Sequence, residues 1–108
     1  MRVKICGVTR LEDALLAAEL GAWAVGMVFA PQSRRRVSVT EAEAIGAALR
    51  RRVEIAGVFV NEPLERITDL AERIGLTLVQ LHGEEGPAFC AEVARRTGTR
   101  VIKAASAA

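Results

Sequence analysis

The amino-acid sequence predicts an α/β fold in which short parallel strands alternate with amphipathic helices. Five short apolar runs alternate with four longer stretches in which apolar residues recur at helical spacing. Residues that favour helix starts precede three of those stretches. The 108 residues are 51% hydrophobic and 26% charged, a balance typical of one globular domain.

The predicted elements alternate along the whole chain. The strands are short and apolar, and they lie at Val3–Cys6, Ala24–Phe29, Glu54–Val60, Thr77–His82 and Arg100–Ala104. The helices between them lie at Leu11–Leu20, Thr40–Arg51, Pro63–Ile74 and Pro87–Arg96. Because each helix returns the chain to the same end of the sheet, the strands should run parallel. This pattern is compatible with an open, doubly wound sheet and with a closed barrel.

Local signals justify the starts of the first three helices. Thr9 with Glu12, and Ser38 with Glu41, have the spacing of a capping box. Asn61 can cap the third helix, whose first turn holds a proline. We therefore expect a side-chain cap at each of these three positions.

Composition argues against several classes of partner. The net charge is +2, aromatic residues make up 4% and tyrosine is absent, so we expect no nucleic-acid partner. No secretory signal opens the sequence, and no apolar run approaches the ~20 residues of a membrane span. Cys6 and Cys90 fit neither zinc nor redox spacing. We therefore predict a cytoplasmic protein with two reduced thiols and no membrane partner.

Candidate functional residues follow from where parallel α/β folds do their chemistry. That chemistry collects at the carboxyl ends of strands and in the loops that follow them. The rule selects five places, which are Cys6-Gly7, the loop Pro31–Arg36, Asn61, the run from Gln80 to Gly83, and Lys103. No glycine-rich phosphate loop, Ser-His-Asp signature or metal-ligand cluster accompanies them.

Cys6 ends its strand immediately before the first helix. Side chains alternate along a strand, so Lys4 and Cys6 share one face, and a lysine on a buried strand face needs a partner. A thiol beside a cation and a helix N-terminus ionises readily and can serve as a base or nucleophile. The alternative is that Cys6 is a small buried hydrophobe. Cys90 lies mid-helix, where we expect it to pack.

The basic loop and the single histidine each allow two interpretations. Arg34, Arg35 and Arg36 at the functional end of the sheet would suit an anionic substrate, since arginine binds carboxylate or phosphate through two contacts. They could equally form a solvated surface loop. His82 is the single histidine and shares a strand face with Gln80. It can have a structural role or a catalytic one.

Six segments together resemble the phosphoribosylanthranilate isomerase family of tryptophan biosynthesis. The segments span the chain in the family's order, and they read Lys4-Ile5-Cys6-Gly7-Val8-Thr9, Gly26-Met27-Val28-Phe29, Ser33-Arg34-Arg35, Gly57-Val58-Phe59-Val60-Asn61, Gln80-Leu81-His82-Gly83-Glu84-Glu85 and Val101-Ile102-Lys103-Ala104. The opening Lys-Ile-Cys-Gly and the later Gln-Leu-His-Gly are specific in combination.

The resemblance implies a (βα)₈ barrel and an Amadori rearrangement. The family converts N-(5′-phosphoribosyl)anthranilate into 1-(o-carboxyphenylamino)-1-deoxyribulose 5-phosphate without cofactor or metal. By resemblance, Cys6 is the general base that removes the C2′ proton of the ring-opened Schiff base. Arg35 resembles the arginine that holds the anthranilate moiety, and Gln80 and His82 resemble residues that line the pocket.

Length sets this chain apart from the family pattern. A (βα)₈ barrel needs at least roughly 200 residues, and the sequence stops just after its fifth predicted strand. We therefore predict a partial barrel of about four and a half βα units, in which residues 1–108 form the N-terminal portion of one barrel domain. The family's general acid, an aspartate on the sixth strand, and its phosphate-binding loops have no counterpart here.

An incomplete site has consequences for activity and assembly. We expect the 108-residue chain to be inactive alone and to associate with itself or with a missing C-terminal half. Two other interpretations stay open, namely a flavodoxin-like domain that binds a small ligand and a half-barrel that serves as an assembly module.

Overall fold

The computed structural model describes residues 2–104, which form five strands and four helices. The strands are β1 (Lys4–Cys6), β2 (Ala24–Val28), β3 (Glu54–Phe59), β4 (Leu78–Leu81) and β5 (Arg100–Lys103). The helices are α1 (Leu11–Glu19), α2 (Val39–Leu49), α3 (Leu64–Ile74) and α4 (Pro87–Thr97). Every predicted element is confirmed within two residues. Residues 105–108, the end of the chain after the fifth predicted strand, lie outside the described part.

The five strands form one parallel sheet in the order β1-β2-β3-β4-β5. A doubly wound sheet reverses its strand order at a switch point, and this order never reverses. The alternative of a flavodoxin-like domain is therefore wrong, and the sheet has the sequential order of the predicted barrel. None of the helices within residues 2–104 is long and apolar enough to cross a membrane.

The main core lies between the helices and one face of the sheet. Alternate strand residues point to this outer face, and the buried ones are Val25, Met27, Phe29, Ile55, Phe59, Val79 and Leu81. All four helices contribute buried residues to the same core, among them Ala14, Ile45, Leu70 and Val93. Because the described helices cover only this face, the opposite face of the sheet carries no helix.

The opposite face of the sheet is concave. Ala24, Ala56 and Leu78 form a separate buried cluster there, with Trp23 packed against it. Lys4 on β1 donates a hydrogen bond of 2.5 Å to the Oε1 atom of Gln80 on β4. Three strand spacings separate β1 from β4, about 14 Å in a flat sheet. The two side chains meet because the sheet curls toward this face.

Only one of the three predicted helix caps is confirmed. The Ser38 hydroxyl accepts the Glu41 N–H at 3.1 Å and caps α2. Thr9 does not cap α1, whose N-cap residue is Arg10 without a side-chain bond. The Leu11 N–H instead donates to the Glu41 carboxylate at 2.8 Å. The prediction for Thr9 is wrong because the neighbouring helix α2 supplies the acceptor.

This cap between two helices predicts an unequal response to two substitutions. Glu41→Ala should lower the free energy of unfolding by about 1 kcal/mol, the typical loss when a helix N-terminus loses its acceptor. Thr9→Ala, at the position that the sequence pattern favoured, should change it by less than about 0.5 kcal/mol. Urea unfolding followed by circular dichroism measures both. A larger loss for Thr9→Ala than for Glu41→Ala would contradict the observed cap.

Candidate active site

Cys6 lies at the carboxyl end of β1 and is exposed on the concave face. Lys4 lies on the same face. Gln80 is the hydrogen-bond partner expected for a lysine on a strand face. At Gly26, on the adjacent strand, an added Cβ atom would lie only 3.0 Å from the Cys6 Sγ atom. The thiol therefore occupies space that any other residue at position 26 would restrict.

Arg35 lies directly beside the end of β1. The Ser33 hydroxyl accepts the Arg35 N–H at 3.1 Å and shapes the loop after β2. The Arg35 Nη1 atom donates to the Cys6 carbonyl oxygen at 3.4 Å. Gly7 has a φ of +87°, and a Cβ atom there would lie 2.7 Å from the Arg35 Nη1 atom. Only glycine allows both this backbone conformation and this close approach.

Gln80 and His82 lie near the carboxyl ends of the strands, as Cys6 and Arg35 do, and we call this edge of the sheet the rim. Gln80 lies on the concave face of β4 and reaches back to Lys4. His82 is the first residue after β4, it is exposed, and its N–H donates to the Phe59 carbonyl at 2.9 Å. The structure thus joins Cys6 to Arg35 and Lys4 to Gln80, with His82 at the same end of the strands.

The rim also holds Glu85, a buried carboxylate to which the sequence analysis gave no role. Its side chain is 3% exposed. Its Oε2 atom accepts the Asn61 N–H at 2.8 Å. Its Oε1 atom accepts the Gly83 N–H at 2.8 Å and the Lys103 ammonium at 2.7 Å. Its only signal in the sequence was the acidic pair that follows His82 and Gly83.

Two effects compete to set the ionisation of Glu85. Burial acts to raise the pKa of the carboxyl group. The hydrogen bonds from Lys103 and from the backbone N–H groups of Asn61, Glu85 and Gly83 favour the charged form. Together these bonds outweigh burial, and the pKa of Glu85 lies below the ordinary value of 4.5.

Asn61 takes part in this network and does not cap α3. The N-cap residue of α3 is Pro63, without a side-chain bond, so the predicted cap is wrong. The Asn61 Oδ1 atom instead accepts the Glu84 N–H at 2.7 Å. The Glu84 N–H in the loop after β4 thus takes the amide oxygen that the predicted cap would have used.

Cys90 is half-buried in α4 and packs against the main core, as expected. Within residues 2–104, no three histidine, cysteine, aspartate or glutamate side chains come close enough to hold a metal ion. Lys4 shares the concave face with Cys6, and Arg35 bonds the Cys6 carbonyl, so two cations belong to this part of the sheet, which suits an anionic ligand.

The fold and the rim define a class of protein. Sequential parallel βα units, with polar side chains gathered at the carboxyl ends of the strands, form part of a (βα)₈ barrel with its site at the usual end. A family model described as N-(5′-phosphoribosyl)anthranilate (PRA) isomerase matches residues 3–108. The chain belongs to this family.

Individual relatives agree with the family match. The N-(5′-phosphoribosyl)anthranilate isomerase of Pelobacter propionicus is 52% identical over 104 residues, which are 96% of this chain and 48% of the relative. A monomer of the dimeric Thermotoga maritima phosphoribosylanthranilate isomerase has a TM-score of 0.87 and 50% identity, covering 95% of this chain and 51% of that chain. The chain therefore spans about half the length of the relatives it matches.

A second solved structure holds a ligand. It is a phosphoribosyl anthranilate isomerase in complex with reduced 1-(o-carboxyphenylamino)-1-deoxyribulose 5-phosphate. Its TM-score is 0.92 at 49% identity, and the match covers 100% of this chain and 55% of that chain.

The positions of the two thiols predict different reactivities. Cys6 is exposed at a strand end, whereas Cys90 packs into α4, so iodoacetamide should alkylate Cys6 first under native conditions. Peptide mass mapping over a time course measures both rates. Equal rates for Cys90 and Cys6 would mean that the Cys6 thiol is shielded, which would contradict its exposed position.

Proposed function

We propose that the protein catalyses the Amadori rearrangement of N-(5′-phosphoribosyl)anthranilate to 1-(o-carboxyphenylamino)-1-deoxyribulose 5-phosphate. The observation that carries this proposal is the Arg35 guanidinium, 3.4 Å from the Cys6 carbonyl, beside an exposed thiol at the end of β1. A base and an anion-binding group then lie side by side where the family would hold its substrate. The substrate is a phosphorylated small molecule, and we place the reaction in the cytoplasm.

In this proposal Cys6 is the general base. The ring-opened substrate is a protonated Schiff base, which makes the hydrogen on C2′ acidic. The thiolate takes that proton, the C2′–H electron pair forms the C1′–C2′ double bond, and the C1′–N π pair moves onto nitrogen to give a neutral enolamine. In ketonisation the C2′ hydroxyl loses its proton as the C2′ carbonyl forms, and the C1′–C2′ π pair takes a proton at C1′. Hydrogen and electrons move within one molecule, so the step needs no external oxidant, reductant or other cofactor. A base must lie within reach of the proton it removes, which suits a thiol on an open concave face.

Arg35, Gln80 and His82 bind the substrate in this proposal. Arg35 pairs with the anthranilate carboxylate, since guanidinium and carboxylate form a strong charge-assisted contact. Gln80 and His82 line the pocket on the β4 side. Lys4 holds the Gln80 side chain in place through its 2.5 Å hydrogen bond.

We also propose that residues 1–108 are the N-terminal portion of one barrel domain that works with a complementary half-barrel. Among the described strands, β1 and β5 each have one neighbour and so one free edge. Val3, Ile5, Leu16 and Leu20 line an apolar cavity of about 340 Å³ outside β1, and Leu20 is 79% exposed. Free strand edges and exposed apolar surface favour pairing with another segment. A second copy of this chain is the alternative occupant.

A completed barrel tests the proposed reaction. This chain would be fused to the part of the Thermotoga maritima relative that lies beyond the aligned region, and substrate loss would be followed by fluorescence. We expect turnover by the fusion and none by the 108-residue chain. Cys6→Ser should lower kcat by about 10²-fold or more, as expected when a general base is lost. Cys90→Ser, the matched control, should stay within about twofold because Cys90 only packs.

Two outcomes of that experiment would contradict the proposal. One is full turnover by the Cys6→Ser fusion, which would give proton abstraction to another group. The other is substantial turnover by the 108-residue chain, which would mean that five strands hold the whole site.

The arginine loop gives a separate prediction for the same fusion. Arg35→Ala should raise KM by about 10-fold or more, because losing a charge-assisted bond costs about 1.5–3 kcal/mol. Arg34→Ala should change KM by less than about twofold, since Arg34 is exposed and it is its neighbour Arg35 that donates to the Cys6 carbonyl. Equal, small effects from both changes would indicate an ordinary surface loop.

A further inference from the structure

Glu85 is a buried charge whose cost needs an explanation. A carboxylate that is 3% exposed loses most of its hydration, and a protein recovers that loss only through good partners. Glu85 lies in the short loop between β4 and α4, beside the proposed substrate pocket. A glutamine or an apolar residue would fill the same space without an ionic group, so its partners indicate what the charge contributes.

Those partners belong to three successive strand ends. Asn61 follows β3, Gly83 follows β4, and Lys103 is the last residue of β5. Both carboxylate oxygens accept donors, and Lys103 also donates to the Gly83 carbonyl. One side chain therefore joins the carboxyl ends of β3, β4 and β5.

The backbone around Glu85 is built for these contacts. Asn61 has a φ of +52°, in the left-handed region that residues other than glycine seldom adopt. At Gly83, an added Cβ atom would lie 2.6 Å from the Asn61 Cγ atom, so no larger residue fits. Asparagine adopts this region more readily than most other residues, and in it the Asn61 N–H donates to Glu85.

These contacts fix His82 from both sides. The His82 N–H donates to the Phe59 carbonyl at 2.9 Å, and the next N–H along the chain, that of Gly83, donates to Glu85 at 2.8 Å. The two peptide planes that flank the His82 Cα atom are each held by a hydrogen bond. Because peptide planes are rigid, this sets the direction in which the imidazole leaves the backbone.

We propose that Glu85 is a positioning residue that holds His82 at the mouth of the site by tying together the ends of β3, β4 and β5. The inference rests on the proposed function, in which His82 lines the substrate pocket. Glu85 itself touches no substrate and acts through the Gly83 backbone. A small error in the placement of a pocket group can cost a large factor in rate, so the effect on turnover should be measurable.

The experiment compares Glu85→Gln with Glu84→Gln in the completed barrel. Both changes remove one charge from the same loop, but the Glu84 side chain is exposed. The glutamine at position 85 would turn an NH₂ group toward donors that need an acceptor. We expect amide hydrogen exchange at Asn61 and Gly83 to rise by about 10-fold or more in Glu85→Gln only. We also expect kcat/KM to fall by about 10-fold, against less than twofold for Glu84→Gln.

A double-substitution cycle with His82→Ala tests whether Glu85 acts through the histidine. If it does, Glu85→Gln should lower kcat/KM by less than about twofold once His82 is already alanine. A merely structural role would give the same loss in both backgrounds. Lys103→Met provides a second variant. It should raise hydrogen exchange at the Gly83 amide by less than Glu85→Gln does, and its loss of kcat/KM should likewise shrink once His82 is alanine.

Three results would overturn the inference. They are unchanged exchange at Asn61 and Gly83 in Glu85→Gln, faster exchange with unchanged kcat/KM, and a loss that persists fully with His82→Ala. A fusion without turnover before any substitution would overturn the proposed function and the positioning role together. Hydrogen exchange at Asn61 and Gly83 would still show, without any turnover, whether Glu85 holds these two amides.

Discussion

The curl of the sheet toward its concave face is the constraint on which the site depends. Ala24, Gly26 and Ala56 carry little or no side chain on that face, and across it Lys4 on β1 bonds Gln80 on β4 at 2.5 Å. Parallel strands end at one edge, and curling brings those ends toward each other. In a flat sheet β1 and β4 would lie about 14 Å apart, and the curl brings Cys6 and Gln80 closer to a common ligand.

The loops at this rim are held by one another more than by the helices that follow them. Gly7 lets Arg35 lie against the end of β1, and Gly83 lets Asn61 lie against the loop after β4. In both places a missing side chain makes room for a polar group from a neighbouring loop. Polar groups of neighbouring loops thus hold one another at the rim.

Much of this architecture follows from the sequence, and the exceptions have a common cause. Strand and helix positions depend on local periodicity, so their bounds were predicted within two residues. Caps depend on which acceptor lies nearest in space. Glu41 of α2 is the acceptor at the start of α1 in place of Thr9, and Asn61 bonds the loop after β4 and does not cap α3. Glu85 drew no prediction because Lys103, its partner, lies 18 residues further along the chain.

The most direct test of the account is a crystal structure of the completed barrel with reduced 1-(o-carboxyphenylamino)-1-deoxyribulose 5-phosphate bound. The central claim is that the rim described here holds the substrate with its C2′ atom against Cys6. The account predicts the Cys6 Sγ atom about 3.5 Å from C2′, as reacting atoms require, and the ligand carboxylate on the Arg35 guanidinium. A ligand bound with C2′ away from Cys6, or with its carboxylate away from Arg35, would contradict it.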